Sequence, residues 1–250
     1  MIDCGSLEMA QARIGARHGD RLRETDWQRI EALREPGPLI DAIRATSLRP
    51  WLEGIDASSD AHRIESTLRV RWRVIVAEVA GWMPDRWRPA VMWWSTLPDL
   101  APLQHLARGG EPPVWMRDDE TWRDVCAASP ASRPARLAEG PLAALAVAWS
   151  TPDTLAQAWN DEWRRRSPVR RRDAEELLER VLRTWTSSSP THRDPWMLRG
   201  ALRAYLVMLL RRAALRPAAA FVHLALCAID LDRLRAELLR RVVFGRWKAA

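Results

Sequence analysis

The sequence predicts an all-α fold, because apolar residues recur at helical spacing along most of the chain. In residues 216–246 they fall at steps of three and four on one stripe of a helix, and the charged residues lie off that stripe. Alternating apolar and polar runs, which are typical of half-buried strands, are not evident. Strand-favouring aromatic residues are also scarce, with one Tyr and two Phe in 250 residues. We therefore expect helices and no sheet.

The first 45 residues predict three helices. An early helix is expected around residues 7–16. Thr25 or Asp26 is placed as the N-cap of a second helix, because short polar side chains favour that position. The run Pro36-Gly37-Pro38 is expected to end the second helix, and a short third one follows over residues 39–45.

The clearest amphipathic helix of the first half follows Ser58-Ser59-Asp60, which supplies polar side chains suited to an N-cap. Its apolar residues recur at steps of four and three as far as Trp82. The other face carries charged residues, among them Glu65 and Arg69, and such a face is usually a solvated surface. We therefore expect a long helix with one buried and one exposed side.

The second half predicts shorter helices separated by loops. Residues 88–108 indicate two helices broken near Pro98, and the Gly-Gly-Glu-Pro-Pro run at 109–113 is the best boundary. We therefore expect a helical subdomain over 1–110, a loop-rich connection over 111–140 and a second helical subdomain over 141–250. Helices of the last part are expected around 142–149, 155–163, 177–185, 198–209 and 216–246.

Two stretches of the chain have a similar layout, which indicates an internal duplication. Each has Arg-Pro-Ala, an apolar segment, Asp-Leu-x-x-Leu and then basic residues. The first copy contains Asp99 and Leu103, and the second contains Asp230 and Leu234. The distance from Arg-Pro-Ala to the aspartate differs by three residues between the copies.

The composition excludes several function classes. We find no Gly-rich phosphate loop, GxSxG or HExxH motif, and the five His and three Cys lack metal-ligand spacing. We therefore expect no catalytic residues, no metal and no cofactor. The formal net charge of +7 favours anionic partners, and the basic residues are Arg apart from Lys248. The fifteen Trp residues are expected mainly to fill the core.

A cluster of six arginines is the strongest local charge feature, and two interpretations of it stay open. The cluster could hold nucleic-acid phosphates, with Trp159, Trp163 and Trp185 available for base stacking. It could instead be a solvated helix end or a patch for a protein partner, which we favour because no nucleic-acid-binding motif is present. The six residues are Arg164, Arg165, Arg166, Arg170, Arg171 and Arg172.

The order of these features resembles the family of C/d-type subunits of V-type and A-type rotary ATPases, over residues 12–110 and 196–245. A helix opening with Glu-x-x-Leu, an acidic residue with a following Leu, and an Arg-Gly end occur in the same order. Pro102 and Arg233 stand where the family has Asn, and this chain is shorter than its usual members. The matching residues are Glu65, Leu68, Asp99, Leu103, Arg108-Gly109, Asp230, Leu234, Arg235 and Gly245.

The resemblance implies a non-catalytic helical adaptor for an ion-translocating complex. Such a protein would link the central stalk to the membrane rotor ring, and would be cytoplasmic, held at the inner face of the membrane through its partners. We expect the six-arginine cluster, together with Arg240 and Arg241, to present charge to those partners. A basic nucleic-acid-binding protein and a helical scaffold for another complex are the alternatives.

Overall fold

A computed structural model describes residues 4–168 and 195–245 of the chain. Over these residues the fold is all-α, as predicted, and contains no strand. The helix predicted at 177–185 lies outside the described residues. The twelve α-helices of the described ranges are α1 Cys4–Gly19, α2 Glu24–Ala32, α3 Pro36–Arg44, α4 Ala61–Trp82, α5 Arg88–Met92, α6 Leu100–Ala107, α7 Val114–Asp118, α8 Arg123–Ala127, α9 Arg133–Glu139, α10 Leu155–Arg166, α11 Pro195–Arg212 and α12 Ala218–Gly245.

Helix α4 lies at the centre of the packing. Asp60 is its N-cap, as predicted, and the side chain accepts a hydrogen bond of 2.7 Å from the backbone N–H of Arg63. The predicted apolar stripe is buried except at Ile75, which is half-buried, and the helix packs against α1, α5, α7, α12 and the 3₁₀ segment Trp93–Asp99. The helix therefore holds elements from both ends of the chain together.

Helix α12 carries the second buried stripe. Its predicted apolar residues Phe221, Leu224, Ala228 and Leu234 are all withdrawn from solvent. The helix packs against α4, α11, α1 and α3, so residues far apart in sequence share this part of the core.

Tryptophan side chains fill much of the core, which confirms that expectation. Trp163 and Trp94 contact the ring of Phe221, with centroids 5.3 and 5.8 Å apart. The indole of Trp72 also satisfies its polar atom, because its Nε1–H donates to the carbonyl of Trp94 at 2.9 Å. An indole thus supplies a large apolar surface and can fix a neighbouring backbone as well.

The helix boundaries in residues 20–45 differ from the prediction. Helix α2 begins two or three residues earlier than expected, because its N-cap is Arg23 and not Thr25 or Asp26. The Asp26 carboxylate accepts from the Arg23 backbone N–H at 3.0 Å. Pro36 starts α3 instead of ending α2, because a proline in the first turn gives up only an N–H that has no helical partner there.

The stretch 111–140 contains α7, α8 and α9 joined by turns. The division into two subdomains stays a prediction.

The predicted break near Pro98 is present, and α6 then ends in a glycine cap. Gly109 has a φ of +84°, a left-handed conformation that glycine adopts without steric cost. The N–H groups of Gly109 and Gly110 donate to the carbonyls of Leu106 and His105, at 3.0 and 2.9 Å. The Arg108-Gly109 pair of the first copy is therefore the site where the helix stops.

Candidate functional site

Arg69 lies between two carboxylates at the centre of the described structure. Its guanidinium contacts Oε1 of Glu65 at 2.9 Å and Oδ1 of Asp99 at 2.8 Å. It also donates to the carbonyl of Pro98 at 3.1 Å and lies 4.0 Å from the ring centre of Trp115. One buried cation therefore joins α4 to the segment that contains the first aspartate of the duplication.

The network continues at both ends. Arg235, on α12, donates from Nε to Oε2 of Glu65. At the other end Trp122 donates from Nε1 to Oδ1 of Asp99 at 3.1 Å. We call the chain Arg235, Glu65, Arg69 and Asp99 the ion-pair chain. It alternates positive and negative groups, and it links residues of both predicted copies.

Burial of Glu65 and Arg69 corrects the expectation that this face of α4 is solvated, whereas Arg235, at the end of the ion-pair chain, is exposed. Glu65, Arg69 and Asp99 are each less than a tenth exposed. Burial raises the pKa of Asp99 above its ordinary value, while Arg69 acts in the opposite direction. The spacing of Glu65 and Arg69, four residues apart, was the local signal for this pair. Asp99 and Arg235 complete it from distant positions.

The aspartate of the second predicted copy has a similar environment. Asp230 is buried, and Oδ2 lies 2.5 Å from Nη2 of Arg21, which follows α1. Burial raises its pKa as well, against the influence of Arg21. Leu103 and Leu234, four residues after each aspartate, are fully buried. Both predicted copies thus place a buried Asp next to an Arg from an earlier part of the chain. Leu68, another residue of the resemblance, lies in the core.

The described arginines of the six-arginine cluster have acidic neighbours on their own helix. Arg165 and Arg166 both bind Glu162, at 2.7 and 2.6 Å, and Arg164 contacts Asp161 at 3.4 Å. All three lie in the last turn of α10, where the helix dipole favours cations. The other predicted members, Arg170, Arg171 and Arg172, lie outside the described residues.

Arg240 and Arg241 differ sharply in exposure. Arg240 is exposed and pairs with Glu237 at 3.0 Å. Arg241 is buried, and its guanidinium donates to the backbone carbonyls of Glu31 and Leu33, where α2 ends. It therefore caps the C-terminus of α2. The expectation that Arg241 presents charge to a partner is wrong, since the guanidinium is used inside the fold.

A cavity of about 530 Å³ borders the ion-pair chain, between α4, α6, α10 and α12. Leu68, Trp72 and Leu231 belong to its apolar lining, and Glu65 and Arg235 are among its charged groups. Its charged lining also includes Asp153, Arg199 and Asp232, so the cavity presents both apolar and charged surface.

Two further features bear on chemistry and location. Among residues 4–168 and 195–245, no group of three or more His, Cys, Asp or Glu side chains is placed to hold a metal ion. Within the same residues, no helix has both the length and the hydropathy needed to cross a membrane.

The chain matches no protein-family model, and neither the curated proteins nor the solved structures contain a significant match.

Proposed function

We propose that this chain is a non-catalytic helical adaptor in a rotary ATPase-like, ion-translocating complex of the V or A type. It would seat the central stalk on the rotor ring and would reach the membrane only through these partners. The proposal extends the sequence resemblance, which rests on the order of several short motifs. Torque transmission requires helices that keep their relative positions under load.

The duplicated aspartates are the observation that carries the proposal. Asp99 and Asp230 belong to the motifs of the resemblance, and each is buried against an arginine from an earlier part of the chain. The ion-pair chain then connects Arg235, of the second copy, to Asp99, of the first. A pair of linked helical copies around buried charges supports a stiff connector better than it supports an enzyme.

The nucleic-acid alternative has less support from the described part of the cluster. Counterion release requires arginines whose charge is available to phosphate groups. Arg165 and Arg166 instead share the carboxylate of Glu162, and Arg166 also stacks on the ring of Trp93, at 4.4 Å. These three contacts compete with a phosphate for the same guanidinium groups.

Purification of the tagged, full-length chain from its native membranes in mild detergent tests the proposal. We expect ATPase head, stalk and ring proteins to co-purify, and cross-linking before lysis should place both stalk and ring proteins next to this chain. Nuclease treatment of a parallel sample should leave the set of recovered proteins unchanged.

Charge-reversal variants sharpen this experiment. Arg240→Glu changes an exposed arginine predicted to face a partner, and Arg86→Glu changes an exposed arginine that was not so predicted. We expect the first variant to reduce recovery of the ATPase proteins and the second to leave it unchanged. Recovery of nucleic acid or unrelated proteins alone would refute the adaptor function and favour the alternatives.

A further inference from the structure

The connection between α11 and α12 is the tip of a helical hairpin, because these two helices pack against each other. We call residues 211–217 the hairpin tip. Turn hydrogen bonds close its backbone: the N–H of Ala213 donates to the carbonyl of Leu209 at 2.8 Å, and the N–H of Arg216 donates to the carbonyl of Ala213 at 3.0 Å. The ion-pair chain and the six-arginine cluster both lie outside the hairpin tip.

Leu215 has an unusual backbone conformation for an apolar residue. Its φ is +57°, in the left-handed region that glycine or asparagine usually occupies. The Leu215 N–H donates to Oε1 of Gln11, on α1, at 3.3 Å, which helps to hold this conformation. The side chain is nevertheless 56% exposed, so burial within the fold does not explain why it is apolar. The hairpin tip therefore presents an apolar side chain to solvent at a steric cost.

Three exposed arginines, Arg211, Arg212 and Arg216, lie on either side of Leu215 in the sequence. Within residues 4–168 and 195–245, their guanidinium groups form no ion pair or hydrogen bond. The sequence has no Asp or Glu between residues 195 and 229. Glu8, one turn before Gln11 on α1, is exposed and pairs with none of the three. Unlike the arginines at the end of α10, these three have charge available for a partner.

The helix dipole accounts for only part of this pattern. Arg211 and Arg212 lie in the last turn of α11, where the dipole favours cations. Arg216 lies beyond that helix, and the dipole gives no reason for an exposed leucine. Met208, one turn before Arg211 and Arg212 on the same face of α11, is also 39% exposed. Apolar and basic side chains thus share one surface at this end of the hairpin.

The positive charge of the hairpin tip extends to α1. The pKa of His18 is lowered by burial first and then by the charges of Arg21, Arg211 and Arg203. Arg211 therefore acts across the gap between α11 and α1. An anion that approaches this end of the molecule meets a positive field from both helices.

We propose that the hairpin tip binds the surface of an anionic phospholipid bilayer. The three arginines contact the phosphate and carboxylate groups of the lipids, and Leu215 enters the boundary between headgroups and acyl chains. Basic residues around an exposed apolar side chain are typical of proteins that lie on a membrane surface. A nucleic acid would use the arginines alone and would leave Leu215 unexplained.

Direct lipid binding goes beyond the adaptor function, which assigns membrane attachment to the partners alone. Each arginine near an anionic surface should strengthen binding about fivefold, and partial insertion of Leu215 about tenfold. The product is about a thousandfold, which corresponds to half-maximal binding near about 1 mM lipid. Such binding is weak and reversible, so it would orient the chain on the membrane without anchoring it there.

Co-sedimentation of the full-length protein with vesicles tests the proposal. One set of vesicles contains phosphatidylcholine alone, and the other contains equal amounts of phosphatidylcholine and phosphatidylserine. We expect at least about tenfold tighter binding to the mixed vesicles, and the difference should shrink as salt is added. Equal binding to both sets, or no binding to the mixed vesicles, would overturn the proposal.

Two variants separate the arginines from the leucine. Arg211→Gln/Arg212→Gln/Arg216→Gln should weaken binding to the mixed vesicles about a hundredfold. Leu215→Asn should weaken it about tenfold without lowering Tm, because asparagine tolerates the left-handed conformation. Weaker binding at unchanged or higher Tm distinguishes a lipid contact from a role in folding. If Leu215→Asn binds the vesicles as tightly as the unaltered protein does, the proposal is refuted.

Arg34→Glu is the control for the change in net charge. Arg34 is exposed and follows Leu33, whose carbonyl binds Arg241, so it lies about 35 Å along α12 from the hairpin tip. We expect this variant to bind the mixed vesicles as tightly as the unaltered protein does. A loss as large as that of the triple variant would show that net charge alone drives binding, which contradicts a specific site.

Duplex DNA and polyglutamate test whether a soluble polyanion is the better partner. We expect both to bind less tightly than the mixed vesicles. Binding of either polymer that equals vesicle binding, and that Leu215→Asn leaves unchanged, would overturn the membrane assignment. The vesicle assay contains no partner protein, so failure of the pull-down would bear on the adaptor function and leave the lipid contact standing.

Discussion

Replacement of Arg69 by methionine is the most direct test of the ion-pair chain. Methionine keeps an unbranched side chain of similar length, so the change removes the charge and the five N–H donors with little loss of apolar contact. Among the described residues, Asp99 then keeps Trp122 as a donor and has no cation in contact, and Glu65 keeps its ion pair with Arg235. The variant thus isolates the contribution of a single buried guanidinium.

Removal of one partner from a buried ion pair costs about 3–5 kcal/mol, because the other charge stays buried without compensation. Arg69 is 9% exposed and Asp99 2% exposed, so the screening that weakens surface ion pairs is small here. We expect Arg69→Met to lower the free energy of unfolding by about 3–5 kcal/mol, measured by urea titration with tryptophan fluorescence.

A second substitution should recover much of this loss. Asp99→Asn removes the negative charge and keeps an oxygen that accepts from Trp122. Alone it should cost no more than about 1 kcal/mol, since Arg69 still has Glu65 and the amide oxygen. In the double variant Arg69→Met/Asp99→Asn, position 99 carries a neutral amide, so the loss of Arg69 no longer leaves an unpaired buried charge there. We expect it to be about 2 kcal/mol more stable than Arg69→Met alone.

The pH dependence gives an independent check. A carboxyl group whose pKa is raised by folding contributes stability that is present below its unfolded pKa and lost as pH rises through its folded pKa. Arg69 lowers the pKa of Asp99, so its removal raises that pKa further. The destabilisation by Arg69→Met should therefore become smaller as pH falls from neutral towards the ordinary aspartate pKa of 3.8. The double variant should lack this part of the pH dependence.

Arg86→Met is the matched control, because Arg86 is exposed. We expect it to change the free energy of unfolding by no more than about 0.5 kcal/mol. Two results would refute the ion-pair chain as an energetic unit. One is that Arg69→Met and Arg86→Met lower the free energy of unfolding equally. The other is that the loss in the double variant equals the sum of the losses in Arg69→Met and Asp99→Asn.

Two further substitutions and one titration have defined outcomes. Gly109→Ala should cost about 1 kcal/mol, seen as a lower Tm, because alanine resists the positive φ that ends α6; an unchanged Tm would contradict the cap. Arg241→Met should lower stability by about 2–4 kcal/mol and speed hydrogen exchange at the end of α2, whereas Arg240→Met should change it by less than about 0.5 kcal/mol. The ring of His223 should stay neutral in NMR titrations down to about pH 4, because burial lowers its pKa to about 3. Neutral His223 therefore contributes stability above its unfolded pKa of 6.5, and this contribution is lost as pH falls. An NMR titration midpoint of the His223 ring near 6.5 would contradict its burial.

Local sequence patterns were sufficient for most helices. The N-cap at Asp60 and the break near Pro98 depend on neighbouring residues, and the periodicity of α12 depends only on its own sequence. The role of Pro36 was harder to predict, because a proline ends one helix and begins another with equal ease. The outcome depends on whether the residues after the proline continue as a helix, as they do in α3.

The candidate site was predicted less completely, for a physical reason. Glu65, Asp99 and Arg235 were singled out by the resemblance, but periodicity placed Glu65 and Arg69 on a solvated face. Helical periodicity describes one helix and assumes that its polar face meets water. Here the polar face of α4 meets Asp99 and, from α12, Arg235, which lies 170 residues beyond Glu65. Contacts between residues so far apart in sequence cannot be predicted from the periodicity of one helix. Arg241 was misassigned for the same reason, because its partners are backbone carbonyls near α2.

The buried charges determine which arrangements of the helices are tolerated. A slide of one helix along another disturbs interdigitated apolar side chains as well, but apolar partners are more interchangeable than charged ones. A buried Arg69 without Glu65 and Asp99 would be strongly unfavourable, so the arrangement of α4 and the segment ending at Asp99 is fixed by charge. Arg21 and Asp230 impose the same condition on α1 and α12. Because Arg235 extends the first network into α12, a shift of α12 along α4 would break ion pairs in both copies. This coupling is the mechanical property that the proposed adaptor function would require.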